Sequence, residues 1–203
     1  MAYFLQPYDE RIPAPGPNLK GKRVVVIAKG VPGSMYDFPA IDHEIGAEVS
    51  KILRERVKKI DLVDAKKVDA WDQAHPTWTD PAELAEAFDA DMVVYFEVNS
   101  FRIQDPSSPG LFEGHASVHI RVVERTFPKD DKGKLIESEP KITSVAYEAD
   151  RDSAFPIRGP QPASAEVTVS SFKKKFLELV ATELSWHFVG HAPGDDIQKV
   201  DFR

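Results

Sequence analysis

The sequence predicts a single α/β (α+β) domain with a mixed five-stranded sheet covered by helices, and three observations predict it. Two apolar strand-like runs, Arg23-Val-Val-Val-Ile-Ala28 and Asp91-Met-Val-Val-Tyr-Phe-Glu-Val98, enclose a stretch whose apolar residues recur at helical spacing. Segments that alternate apolar and polar residues follow the second run, as strands of a half-buried meander do. A last stretch returns to helical spacing. The expected order is βαβαβββα, with the first three strands parallel through right-handed crossovers and the meander antiparallel. A length of 203 residues, 42% of them hydrophobic, suits one domain with a real core and would cramp two.

Residues 1–21 carry Pro7, Pro13, Pro15, Pro17, Gly16 and Gly21 without apolar periodicity, which predicts an extended leader rather than a helix or a central strand. Tyr3, Phe4, Leu5, Tyr8 and Ile12 are available to pin it to the body. The domain proper spans 22–191. Its first strand, Arg23–Lys29, is apolar on both faces and so reads as central. After the loop Gly30–Pro39, Ile41, Ile45, Val49, Ile52 and Leu53 form one side of a helix, with Asp42, Glu44, Glu48 and Lys51 on others. Lys59–Val63 reads as a short strand, and Asp64 as the cap of a short helix carrying Val68 and Trp71.

Asp80-Pro-Ala-Glu83 is a helix start: an acidic cap, proline at the first helical position and glutamate three residues after the cap. Asp91–Arg102 is the third strand, with Met92, Val94, Phe96 and Val98 on one face. In the fourth, Phe112, Ala116, Val118, Ile120 and Val122 alternate with polar residues. Pro128–Gly133 is a charged hairpin tip and Ile142–Ala149 the fifth strand. Arg151–Glu166, rich in proline and small residues, is expected to be a surface loop. The last helix is expected over Ser170–Phe188, with Phe172, Phe176, Leu179, Val180, Leu184 and His187 in one stripe, and 192–203 as a flexible tail.

Composition excludes several classes of function. A net charge of −7 argues against nucleic acid, which needs a concentrated basic surface; Lys173–Lys175 is the only basic triplet, and a solvated helix face explains it. With no cysteine there is no disulfide, thiolate metal site or thiol nucleophile. No run approaches the roughly 20 apolar residues needed to cross a bilayer, and the first residues lack the charged and apolar regions of a signal peptide. The expected location is therefore the cytoplasm, or the periplasm and cell envelope if a leader segment was removed.

No motif names a reaction. Gly30-Val-Pro-Gly33 matches neither the phosphate loop nor the dinucleotide fingerprint, although a glycine-bearing loop that opens a helix can meet an anion. A small-ligand or nucleotide-binding regulator acting at Gly30–Asp37 is one alternative function. His115 and His119 share a strand face with Ser117 and Arg121; with Glu97 on the neighbouring strand, they suggest a metal-dependent hydrolytic enzyme as another. A solvent-facing polar side of a hairpin explains the same pattern. His187-Phe-Val-Gly-His191 lacks the glutamate of a zinc helix, and Gly190 reads as a helix stop. Asp42-His43-Glu44 cannot converge, because successive helical residues point about 100° apart. No catalytic residue and no cofactor is expected. Pro32, Gly33, Tyr36 and Phe38 in the loop, with Trp71, Trp78 and Phe155, are the candidate contacts for a protein partner.

Lys22-Arg-Val-Val-Val-Ile27, Asp89-Ala-Asp-Met-Val-Val-Tyr-Phe-Glu-Val98 and Leu179-Val-Ala-Thr-Glu-Leu-Ser-Trp-His-Phe188, in this element order, resemble bacterial envelope lipoprotein domains of the LpoB, CsgG and TolB amino-terminal type. The resemblance covers residues 22–188. It implies a non-enzymatic periplasmic adaptor, regulator or assembly domain with a protein partner in the cell envelope, and it supplies no catalytic residues. The proline-rich leader resembles the tether that follows a lipidated cysteine in such proteins; the cysteine itself is missing from this sequence.

Overall fold

The computed structural model describes residues 11–31, 33, 37–104, 107–108 and 110–195. Ten elements follow in order: β1 (Arg23–Gly30), α1 (Ile41–Arg56), β2 (Asp61–Leu62), α2 (Ala65–Ala74), α3 (Pro81–Ala87), β3 (Met92–Gln104), β4 (Leu111–Thr126), β5 (Ile142–Phe155), β6 (Gln161–Pro162) and α4 (Val169–Ser185). The sheet runs β2-β1-β3-β4-β5, and the two-residue β6 pairs with the start of β4. β1 lies parallel to both β2 and β3, while β3–β4 and β4–β5 are antiparallel, as the order of apolar runs predicts.

Two helical layers enclose the sheet. On one face α1 and α4 bury Ile41, Ile45, Val49, Leu53, Phe172, Phe176, Val180 and Leu184 against Val24, Val26, Val94, Phe96, Val118 and Ile120. α2 and α3 cover part of the other face through Val68, Leu84 and Ala85 over Val25, Ile27, Val93 and Val123. The double cover explains why β1 reads as a continuous apolar run. Each fully buried side chain of this kind contributes about 1.5–3 kcal/mol. Phe176 stacks near Phe101, with centroids 5.0 Å apart, and Gly114 makes room for its ring: a Cβ there would lie 2.7–2.8 Å from three ring carbons.

Local chemistry sets the helix ends. Asp64 accepts from the Lys66 amide at 2.8 Å and Asp80 from the Ala82 amide at 2.9 Å, so both predicted caps form. Thr168 and Ser171 cap α4 reciprocally, each side chain bonding the other's backbone amide. α4 therefore begins at Val169 and stops at Ser185, short of the expected Phe188.

β5 corrects the expected boundaries. It continues to Phe155, so the predicted loop from Arg151 contains strand. Its second half turns Arg151, Ser153 and Phe155 toward the α4 face. Two polar residues at inward positions hide the apolar alternation that a sequence reading needs. Bulges reset the phase of two strands. Asn99 lies between the paired residues Val98 and Ser100, so Val98 and Phe101, an odd interval apart, enter the same core. Ala146 plays the same part in β5.

The described leader residues, 11–21, bend at 15–16 and turn at 20–21. Leu19 is buried, and Ile12 forms an antiparallel bridge with His191.

Candidate functional site

The sheet face away from α1 and α4 emerges from under α2 and α3 as a polar surface. Glu97 lies opposite His119, and Tyr95 opposite Arg121. On the other side of β4, His119 Nδ1 meets Asp150 at 2.7 Å and Arg121 Nε donates to Glu148 at 2.7 Å. Burial, aided by Glu97, pushes the Tyr95 phenol up. The three residues considered as metal ligands are not brought together. His115 sits four residues along β4 from His119, about 13 Å at strand rise. It pairs in register with Arg102, and its Nε2 is 3.6 Å from Glu113. The strand rise is the reason: two histidines four residues apart on one strand cannot reach a common ion, whichever of them faces Glu97. Among the described residues no group of three or more histidines and carboxylates is placed to hold a metal ion.

The loop after β1 opens at a topological switch point, where α1 leaves toward one side of the sheet and α2 and α3 return on the other. There the Asp42 carboxylate accepts from the Gly30 amide at 3.2 Å and from the His43 amide at 2.8 Å. An acidic side chain thus occupies the position where a bound anion would meet these amides. Gly33 is exposed with φ 88°. Phe38 is half-buried, edge-on to Phe101 at 5.8 Å and beneath the Lys173 ammonium at 5.2 Å. Pro32 and Tyr36 lie outside the described residues.

Two of the aromatic residues named as candidate partner contacts are inside. Phe155 is wholly buried, its ring 5.4 Å from Phe172. Trp78 is 8% exposed; its indole N–H donates to Asp72, whose carboxylate also meets Lys29 Nζ at 2.6 Å. Both follow from strand and helix packing: Phe155 takes an inward phase of β5, and Trp78 closes the second core. Trp71 is half-buried in the same cluster, stacked on His75 at 4.4 Å.

The most developed polar cluster is one that sequence reading missed. Where α4 ends over β5, a cavity of about 290 Å³ is lined by Arg151, Glu183, Trp186, His187 and His191, and by Ile12, Pro13 and Pro15 of the leader. The Glu183 side chain is fully buried. Its Oε2 accepts from Arg151 Nε at 3.1 Å and from Ser153 Oγ at 2.5 Å. His187 Nδ1 is 2.8 Å from the Tyr147 hydroxyl; burial, with Arg151 adding to it, holds the imidazole below its ordinary pKa. Trp186 and His191 stack at 4.2 Å. The leader straps this cluster. Ile12 and His191 exchange backbone bonds of 2.8 and 3.2 Å, and the Gly16 amide donates to His187 O at 2.8 Å. A Cβ on Gly16 would come within 2.5 Å of that oxygen, so only glycine fits.

In this cluster the Ser153 hydroxyl donates to the Glu183 carboxylate, which Arg151 also holds, and the His187 imidazole bonds the Tyr147 phenol. Its chemistry is that of a lock between α4, β5 and the leader. Glu183 did carry a sequence signal, because it stands three residues after Val180 and seven after Phe176 on the apolar stripe of α4. An acid in that position requires a buried partner.

No family model matches the sequence. No curated protein matches it either. Among solved structures, the chain is similar to the PelC dodecamer from Paraburkholderia phytofirmans (13% identity over 88% of this chain and 95% of that one, TM-score 0.45). It is also similar to the hypothetical protein CT253 from Chlamydia trachomatis (15%, 83% and 97%, TM-score 0.45). A third is lipoprotein GNA1162 from Neisseria meningitidis (14%, 80% and 96%, TM-score 0.44). These likenesses are too distant to assign a function.

Proposed function

We propose that this chain is a non-enzymatic assembly or adaptor domain of the bacterial cell envelope that recognises a protein partner through the open edge of β5. The observation that carries the reading is the position and composition of that strand. Among the described residues β5 ends the sheet, and β6 pairs with β4 rather than with it. Its first six residues, Ile142-Thr-Ser-Val-Ala-Tyr147, carry no charge and favour extended backbone. Ile142 and Val145 are 52% and 56% exposed. An uncharged edge of this kind is a template for strand addition, in which main-chain bonds supply affinity and alternate side chains specificity. The polar face beside it supports a binding role over a catalytic one, because His119 and Arg121 are already engaged by Asp150 and Glu148. The envelope location rests on the resemblance of residues 22–188 to the LpoB, CsgG and TolB amino-terminal type. No helix among the described residues is long and apolar enough to cross a membrane.

The test compares the wild-type chain with Ile142→Lys/Val145→Lys, which places charge on exposed positions and should melt as wild type does. A discrete envelope protein cross-linked by the wild type and lost with the variant is the expected result. Equal capture by a variant with unchanged melting overturns the edge assignment, and recovery of the native protein only from cytosol overturns the envelope.

A further inference from the structure

A broader depression of about 780 Å³ shares His191 with the strapped cavity and is within the usual size range of small-ligand sites. Arg11, Lys20, Arg56 and Lys58 line it, with Asp195 the one carboxylate among its described lining residues. All four cations are exposed, and Lys20, Arg56 and Lys58 make no ion pair among the described residues. They come from three separate stretches of chain: the leader, the turn before β1 and the end of α1. The helix dipole accounts for Arg56 in the last turn of α1, but not for cations brought in by the leader. The protein as a whole carries a charge of −7, so this concavity opposes the sign of the molecule. Phe188 and Val189 add apolar lining. His191 is also in the lining.

We propose that this basic depression is a binding site for a phosphate-bearing anion. Guanidinium groups take phosphate oxygens in pairs, lysines add point charge, and a concave wall concentrates their field. Phe188 and Val189 give an apolar part of the ligand a place to rest. The same chemistry fits a free phosphate compound or the headgroup of an anionic lipid, and the leader at the rim suits either.

The experiment uses the full chain with two probes: inorganic pyrophosphate followed by calorimetry, and flotation with phosphatidylglycerol-containing vesicles against pure phosphatidylcholine vesicles. Saturable binding to at least one phosphate probe, weakening as salt rises, is expected. Lys20→Gln/Arg56→Gln/Lys58→Gln should weaken it tenfold or more. Lys132→Gln/Lys134→Gln/Lys174→Gln, which removes the same charge from other surfaces, should stay within twofold. Binding to anionic vesicles alone identifies a headgroup; binding to pyrophosphate identifies a soluble ligand. Absence of binding to both, or equal weakening by the two triple variants, overturns the proposal.

Discussion

Glu183 shows how a single residue can fix the end of an element. A carboxylate with no solvent exposure is tolerated because Arg151 and Ser153 reach it from the neighbouring strand. Removing the cation while keeping its bulk, Arg151→Met, leaves that charge buried and is expected to destabilise the fold by about 3 kcal/mol, the lower end of the range for broken buried pairs because Arg151 is partly exposed. Chemical denaturation would measure it, and Arg151→Met/Glu183→Leu should recover most of the loss. His187 adds a pH dependence. Burial lowers its folded pKa below the unfolded value of 6.5, so the unfolded chain binds the proton more readily. The stability that this group supports is present above pH 6.5 and is lost as pH falls from there toward the depressed folded value. Melting curves across that window should show a wild-type decline that His187→Gln reduces.

At the scale of elements, the leader matters more than its composition suggests. Proline prevents helix, yet residues 12–16 bond the turn after α4 through backbone groups alone. No periodicity marks such a contact, because backbone bonds do not depend on side-chain pattern. Gly16→Ala would force a Cβ against His187 O and should detach the strap without unfolding the sheet. Limited proteolysis is the check: cleavage near residues 11–17 should accelerate while the fragment carrying β1 to α4 stays intact. The elements that were legible announce themselves locally. Asp64 and Asp80 cap, β1 is apolar on both faces, and α1 repeats Ile41, Ile45 and Val49. The second half of β5 does not, since Arg151 and Ser153 make sense as inward residues only beside Glu183. Aromatic type alone does not tell a surface position from an inside one: Trp78 and Phe155 are buried by packing.

For the molecule as a whole, the sheet separates two unequal cores and two kinds of surface. The larger core, under α1 and α4, takes residues from four long strands; the smaller, under α2 and α3, covers only the first part of the opposite face. The uncovered remainder is polar and self-paired, the edge beside it is uncharged over Ile142–Tyr147, and the basic depression lies where the leader meets the end of α4. Architecture was therefore readable from apolar spacing, whereas the arrangement of surfaces depended on register shifts at Asn99 and Ala146 that spacing does not announce. The bridge between Ile12 and His191 also has a mechanical meaning. Tension drawn along residues 11–16 loads the Ile12–His191 and Gly16–His187 bonds before it loads β1. Those few bonds act as a fuse: they break in succession and give up slack, so a tug on the leader is absorbed before the sheet feels it.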